Sequence, residues 1–331
     1  MYIINSIIYS FIFIFCIHII LFKFNLRNYF KKPKIVGRWS DNPAYLIGGI
    51  IFIFFLIYYF ILSFFKYTIF FLNFYELFIL FIFFLIGLYD DKYNLNGKIK
   101  LIIYFFLILG LNFYYLNNQY FFIILSSIFI SFGIFISLNI IDNMDGIFSS
   151  FFLLLICYLM SLIYYQMNIS LISGFISIIL INIYFLIINL FKDKSYLGDS
   201  GSYLLSSLII IIFLKYKDLI DLNPTYLSYL VVLLITFAYP IFDFIYVCSI
   251  RIYNKKSPFI GGIDHTSHII SKYFNSDSKS LIFIGVTNFI YFLINYYFII
   301  NNFNYFYNIY TFILFNLFLS TLIFIFNSKR I

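Results

Sequence analysis

Four polar segments interrupt an otherwise apolar chain, and each gathers residue types that handle charged ligands. The first is Gly87-Leu88-Tyr89-Asp90-Asp91, followed by Leu95, Lys98, Lys100 and Leu101. Two adjacent carboxylates at the end of an apolar helix repel one another unless a cation or a proton intervenes. Neighbouring side chains on a helix point in different directions, so one carboxylate can face a metal while the other faces a phosphate-bearing substrate. The plainer alternative is a solvated loop with a chance Asp pair. The second segment is Asn139-Ile140-Ile141-Asp142-Asn143-Met144-Asp145-Gly146. Asn139, Asp142 and Asp145 are spaced i, i+3, i+6, so a helical turn would line them along one face. Oxygens arranged in that way suit a hard cation or the polar edge of a nucleotide. Against this stands an ordinary capping role, with Asp142 or Asn143 as the N-cap of the next helix.

The third segment runs from Asn189 through Lys194 and Tyr196 to Leu197-Gly198-Asp199-Ser200-Gly201-Ser202. Two glycines bracketing an Asp allow close backbone approach to a ligand, and a following helix presents free N–H groups to an anion. The Asp199 carboxylate can hold magnesium against the same phosphates, because that ion takes few protein carboxylates and lets substrate oxygens complete its shell. A simple Gly/Ser turn is the alternative. The fourth is Pro258-Phe259-Ile260-Gly261-Gly262-Ile263-Asp264-His265-Thr266-Ser267-His268, in a loop that also carries Arg251, Lys255 and Lys256. Two of the chain's 3 histidines stand here three residues apart, and on a helix they would face the same way. Imidazole and basic groups together suit a diphosphate or a lipid phosphate. A zinc site would need more ligands than Asp264 supplies nearby. Asp243 adds an ionisable residue within an apolar run, a functional candidate by position alone. It stands about 12 Å of helix below Arg251, where it can also serve as a support for the loop. His18, alone in the first apolar run, and Cys16, Cys157 and Cys248, each inside such a run and without ligand spacing, read as structural, the cysteines as small buried side chains.

The elements that must position these segments follow from composition. The 331 residues are 64% hydrophobic and 10% charged, against about 25% charged in soluble domains. Such a chain cannot cover its own surface in water. Its long uncharged stretches approach the roughly 20 residues that cross a hydrocarbon core as helix. The reading is an all-α polytopic membrane protein, a single integral-membrane domain over residues 1–331. About eleven transmembrane helices are expected, near 2–22, 45–65, 70–88, 101–116, 120–138, 148–166, 169–190, 203–215, 226–249, 280–300 and 307–326. The first lacks a basic start and a small-residue cleavage site, so it reads as a retained helix. With eleven spans, 18 of the 21 Lys and Arg residues fall on one side, leaving Lys66, Lys215 and Lys217 on the other. That excess marks the cytoplasmic side and puts the amino terminus outside. All four polar segments lie on the cytoplasmic side. The net charge of +8 sits in these short loops, which speaks against a nucleic-acid partner and for a lipid bilayer.

Taken together, the segments resemble the polyprenyl-phosphate N-acetylhexosamine-1-phosphate transferase superfamily, also called glycosyl transferase family 4. Asp90-Asp91 with Leu95 and Lys100 looks like its paired-Asp motif. Asn139, Asp142, Asp145 and Gly146 match Asn-x-x-Asp-x-x-Asp-Gly. Asn189, Lys194, Tyr196 and Gly198-Asp199-Ser200-Gly201-Ser202 match its third block in order and spacing, and Pro240, Asp243 and Arg251 fit positions before its His motif. The resemblance spans roughly residues 30 to 270. At the amino-terminal end Gly48-Gly49 are kept, while Leu46 stands where the family often has Arg, and Ser40 or Asp41 stands near an upstream His position. Asp264-His265-Thr266-Ser267-His268 is similar to one aminosugar-phosphate branch and lacks the triple His of the phospho-N-acetylmuramoyl-pentapeptide transferases, which become the alternative within the family.

The resemblance implies transfer of a sugar-1-phosphate from a UDP-sugar to undecaprenyl or another polyprenyl phosphate, releasing UMP. That would be a first membrane step of cell-envelope polysaccharide synthesis, of the lipopolysaccharide or teichoic acid kind, in the bacterial cytoplasmic membrane. It implies Mg2+, with Mn2+ as a substitute, held by Asp199 and by Asp145. Asp90 and Asp91 would position or deprotonate the lipid phosphate. Tyr196 would stack on the uracil, with Asn189 and Asp145 bonding near it. His265, His268 and Lys100 would hold phosphates, and Asn139, Asp142 and Lys194 complete the substrate-binding set. A homodimer is compatible with this reading. A multispan transporter, the rival from another class, would place polar residues at the bilayer midplane on broken helices or repeats. Here they gather at one interface.

Overall fold

In a hydrocarbon environment every backbone N–H and C=O must be satisfied within the chain, so apolar runs of this length become helices. The structure, a computed structural model, describes residues 2–24, 26–32, 44–68, 72–117, 119–165, 169–190, 195–217, 226–258, 262–301 and 305–328. Among these the helices are α1 (Tyr2–His18), α2 (Gly48–Phe64), α3 (Phe74–Tyr93), α4 (Gly97–Leu116), α5 (Phe121–Ile140), α6 (Ile147–Tyr165), α7 (Ile169–Leu190) and α8 (Gly198–Lys215). They continue with α9 (Tyr226–Thr236), α10 (Ala238–Tyr253), α11 (Thr266–Phe274), α12 (Asp277–Ile300) and α13 (Tyr305–Ser328). The chain is an all-α polytopic membrane protein.

A helix lies over each of the eleven expected spans, but length and composition qualify 8 of them as crossings, or up to 9 if the bent pair α9–α10 is one span. The α2 helix has 17 residues, about 26 Å of rise, against a hydrocarbon core of about 30 Å. The α3 helix carries Glu76, Asp90, Asp91 and Lys92. The 71° bend between α9 and α10 falls where a proline demands it. Pro240 has no N–H to give to the carbonyl of Thr236, so the first helix stops there and a new one begins with Pro240 in its first turn. The weakly marked turn before α3 also has a local cause. Asn73 and Glu76 form a capping box, the Asn73 N–H donating to Glu76 Oε2 at 2.7 Å and the Glu76 N–H to Asn73 Oδ1 at 2.9 Å.

The chain divides into two compact units. The first holds α1, α2, α3, α7, nearly all of α6 and α8 as far as Leu208. Its core is aromatic: Phe13 of α1 meets Phe55 and Tyr58 of α2 at 5.4 Å, and Phe52 meets Phe185 of α7 at 5.7 Å. The Ser177 hydroxyl donates to Tyr59 Oη at 2.5 Å, so that buried phenol is satisfied. His18 ends α1, stacked on Phe22 and within 3.2 Å of the Tyr184 hydroxyl, in keeping with a structural part. Cys16 departs from the expectation of a buried thiol and lies on the exposed face of α1, while Cys157 and Cys248 are half-buried.

This unit also contains a small sheet that the sequence did not announce. Strands β1 (Lys31–Lys32), β2 (Ala44–Leu46) and β3 (Ser195–Tyr196) pair in that order, β1 antiparallel to β2 and β2 parallel to β3. Tyr45 lies opposite Ser195 and Leu46 opposite Tyr196. One residue after each parallel strand a helix begins, α2 at Gly48 and α8 at Gly198, so the two helices start side by side. The second unit holds α4, α5, α9 to α13 and the end of α8 from Ile209. Here α4 and α5 are tied by a Ser127–Asn112 hydrogen bond of 2.6 Å, and Tyr291 of α12 donates to the Ile235 carbonyl of α9 at 3.0 Å. The α11 helix packs on α12 and α13, with Tyr273 stacked on Phe326 at 4.1 Å.

Candidate active site

In the first unit, three glycines bring helix backbones close enough to assemble a carboxylate cluster. A Cβ on Gly87 of α3 would stand 2.4 Å from the Ser200 Cα and 2.5 Å from the Asp199 carbonyl oxygen. One on Gly49 would stand 2.7 Å from the Gly201 nitrogen, and one on Gly48 2.7 Å from the Leu197 Cα. The Gly49 N–H donates to the Leu197 carbonyl at 3.3 Å. With α2 and α3 pressed against the start of α8, the last turn of α3 reaches that start.

The consequence is specific. Asp91 accepts the Asp199 N–H on Oδ1 and the Ser200 N–H on Oδ2, both at 3.0 Å. A carboxylate from α3 thus caps α8, satisfying two otherwise orphaned donors and facing the positive end of that helix. Gly198 is needed at the entry. Its φ is +73°, and a Cβ there would stand 2.8 Å from Asp91 Oδ2. Asp90, fully buried, accepts a hydrogen bond from the Tyr203 hydroxyl, one turn beyond Asp199 on α8. Asp90, Asp91 and Asp199 therefore all belong to the contact between the end of α3 and the start of α8. Because Asp91 already caps α8, the half-buried Asp199 carboxylate is not required as a cap. Asn189, near the end of α7, donates to the Ser195 carbonyl at 2.8 Å and so fixes the strand carrying half-buried Tyr196. Leu46, in the position where an Arg was anticipated, is buried in β2 beside Tyr196. Lys194, Ser40, Asp41 and Pro43 lie outside the described residues.

The second unit carries the other sequence candidates. Lys100 is half-buried in the first turn of α4, whose N-cap Asn96 accepts from the Lys98 N–H at 3.0 Å. The expected helical register of Asn139, Asp142 and Asp145 is not what forms. The α5 helix ends at Ile140, and 141–146 is a series of turns leading to Gly146 at φ +79°. A helix through Gly146 would require negative φ, so Asp142 and Asp145 are presented by a turn while Asn139 stays in the last turn of α5. The α6 helix begins at Ile147, which removes Asp142 and Asn143 as its N-cap. Asn143 instead ties this turn to α11, its side-chain oxygen accepting from the Ser267 hydroxyl at 2.6 Å.

The two histidines do not share a role. His265 is the N-cap residue of α11, and His268 lies inside the helix, with the rings edge-to-face at 5.4 Å. His268 is 1% exposed and its Nε2–H donates to the Asn143 carbonyl at 3.3 Å. Burial pushes its pKa down to about 4, so it is neutral at pH 7 and acts as a strut between α11 and the 141–146 turn. His265 Nδ1 is 2.9 Å from Asp243 Oδ2, while Asp243 Oδ1 accepts the Thr266 N–H at 2.8 Å and its hydroxyl at 2.6 Å. Asp243 is thereby explained: it is fully buried and fully engaged beneath α11. Arg251, expected to meet phosphate, clamps the loop instead. Its guanidinium grips Asp264 at 2.7 and 2.6 Å and donates to the Pro258 carbonyl at 3.0 Å. That pairing holds the Asp264 carboxyl below its usual range.

Sequence reasoning missed Tyr203, Asn143 and Thr266. Tyr203 was findable, since it follows Asp199 by four residues on an evident helix and shares its face. Among the described residues no group of three or more His, Cys, Asp or Glu side chains is arranged to hold a metal ion, so a zinc centre has no frame there, whereas magnesium needs fewer protein ligands.

No curated protein matches this sequence. Residues 73–217, which carry every acidic and amide candidate from Asp90 to Asp199, match the family model described as Glycosyl transferase family 4.

Proposed function

We propose that the protein transfers a sugar-1-phosphate, an N-acetylhexosamine-1-phosphate, from a UDP-sugar to undecaprenyl or another polyprenyl phosphate and releases UMP. The observation that carries the reading is the contact of Asp91 with the Asp199 backbone and of Asp90 with Tyr203 at the start of α8, within the segment that matches Glycosyl transferase family 4. A transfer between two phosphates calls for a cation, and Asp199 is the candidate carboxylate at that helix start to hold one.

Each residue has a part in that reaction. Asp199 is the candidate in the first unit to hold Mg2+, and Asp145 the candidate in the second. The ion would neutralise diphosphate oxygens and ease departure of UMP. Asp91 holds the backbone of Asp199 and Ser200 in place. Asp90, tethered by Tyr203, is the candidate to orient the lipid phosphate. Tyr196, fixed through Asn189, would stack on the uracil; in the second unit Asn139 at the end of α5 and Asp142 in the following turn are candidates for polar contacts with substrate. Lys100 and His265 would meet phosphate oxygens. The excess of basic residues in the loops that carry these groups supports an active face toward the cytoplasm and an amino terminus outside.

The test is direct. Purified protein in detergent, given undecaprenyl phosphate, Mg2+ and radiolabelled UDP-N-acetylglucosamine, should form a lipid-linked product and stoichiometric UMP. Asp199→Asn should abolish both. Product from UDP-N-acetylmuramoyl-pentapeptide alone would move the protein to the peptidoglycan branch. Inertness toward every UDP-aminosugar would remove the transferase reading.

A further inference from the structure

We infer that Asp243 is a positioning residue that fixes His265 with Nδ1–H turned inward and Nε2 presented outward toward a phosphate group. The placement follows from the bonding around one buried carboxylate. Asp243 Oδ1 is committed to Thr266, whose backbone N–H can only donate, and whose hydroxyl donates to the same oxygen. Oδ2 is left for His265 Nδ1 at 2.9 Å. A carboxylate has only lone pairs to offer, so Nδ1 must carry a proton. Among the described residues His265 Nε2 has no hydrogen-bond partner, and it is the ring atom left for a ligand.

The other ionisable groups nearby do not compete with His265 for the ligand. Asp264 is bound by Arg251, and the ring of His268, 5.4 Å away, is buried against the Asn143 turn. Of the two histidines in the motif, His265 is thus the phosphate holder and His268 the strut. Its phosphate-binding part rests on the transferase reading; the orientation of the ring does not.

Asp243→Asn tests the idea because the structure dictates how the amide must sit. The Thr266 N–H demands the amide oxygen, which turns the Asn NH2 toward His265 Nδ1. That nitrogen must then accept, and the ring proton moves to Nε2. The protein has 3 histidines, so 15N-histidine labelling in detergent gives a spectrum that can be read ring by ring, with His265→Gln marking the signals of His265. The expected result is protonated Nδ1 in the wild type and unprotonated Nδ1 in Asp243→Asn. Thr266→Val, which keeps the backbone N–H, should retain the wild-type pattern and serves if the Asn variant does not fold. Together with the switch, kcat/KM for UDP-N-acetylglucosamine should fall at least tenfold.

An unprotonated Nδ1 in the wild type, or an Asp243→Asn spectrum unchanged from it, overturns the inference. So does a switched tautomer with undiminished turnover in an active enzyme. If the wild type turns over no UDP-sugar, the transferase reading falls while the spectra still decide the orientation of the ring.

Discussion

Gly87→Ala is the most demanding test of how the acidic cluster is assembled, because the added atom meets backbone and nothing that can swing aside. The new Cβ would stand 2.4, 2.5 and 2.6 Å from the Ser200 Cα, the Asp199 oxygen and the Ser200 nitrogen, where ordinary contact begins at 3.4 Å. Helix α3 must therefore move from the start of α8 by about 1 Å. The same movement stretches both 3.0 Å bonds from Asp91 to the Asp199 and Ser200 amides beyond hydrogen-bond range. Overpacking of this kind costs about 1–3 kcal/mol, and each charge-assisted bond contributes about 1.5–3 kcal/mol. Partial relaxation shares the strain among these contributions, giving a loss of about 4 kcal/mol. Thermal unfolding in detergent should fall by several degrees, and kcat/KM for the UDP-sugar by at least a hundredfold. Gly110→Ala and Gly133→Ala are the controls, since a Cβ at either position meets nothing within 4 Å. Both should be neutral or stabilising by about 0.5–1 kcal/mol. A Gly87→Ala protein with wild-type melting and turnover would refute the close-approach argument.

Other perturbations separate the struts from the chemistry. Asp91→Asn leaves one acceptor for two amide donors, so it should cost about 1–2 kcal/mol in thermal unfolding and reduce kcat at unchanged metal dependence. Tyr203→Phe withdraws a hydroxyl from buried Asp90; a stability loss of about 1–3 kcal/mol with a reduced kcat is expected, and wild-type values of both would deny Tyr203 its role. For His268 the expectation concerns pH. Its folded pKa of about 4 lies below an unfolded value of about 6.5, so the unfolded chain binds the proton first as pH falls. Stability is complete above pH 6.5 and declines by about 3 kcal/mol on the way to pH 4, at about 1.36 kcal/mol per pH unit. His268→Gln should flatten the melting temperature in that window, leaving the later loss below about pH 4, where the Asp264 carboxylate takes its proton.

Much of this was legible in the sequence, for reasons that particular residues make plain. Helix positions follow from apolar length, which is why a helix lies over each expected span. The turn before α3 looked weak only because Glu76 was weighed as a charge. Read with Asn73 as an Asn-x-x-Glu pair before an apolar run, it announces a helix start. The number of crossings was less legible, because α2 is short and α3 ends in acids, and neither fact is visible as a break in hydropathy. The sheet was invisible. Strands of two or three residues have no periodicity, and Tyr45 and Ser195, which pair across it, are 150 positions apart. The helical register proposed for Asn139, Asp142 and Asp145 failed because α5 ends at Ile140 and turns follow up to Gly146, a residue type that was itself a readable sign of a turn.

What the sequence could not apportion was labour among equally polar residues. Asp90 and Asp91 are neighbours of identical type, yet one is bound to a tyrosine and the other caps a distant helix. Arg251, His268 and Asn189 look like ligand-binding groups when only their motifs are considered, and each spends a donor on a backbone carbonyl or a loop carboxylate. The reason is physical. Loops that carry catalytic groups beside a membrane have backbone groups that the hydrocarbon cannot solvate, and short polar side chains are the simplest way to satisfy them. A motif in such a protein therefore mixes residues that touch the ligand with residues that hold those contacts in place. Glycines mark the boundary. Where Gly48, Gly49, Gly87 and Gly201 let backbones touch, the polar side chains beside them are drawn into holding those backbones. Asp199 and His265 stand one step beyond, each positioned by another residue's carboxylate, and it is on these two that the chemistry of the proposed transfer should depend most.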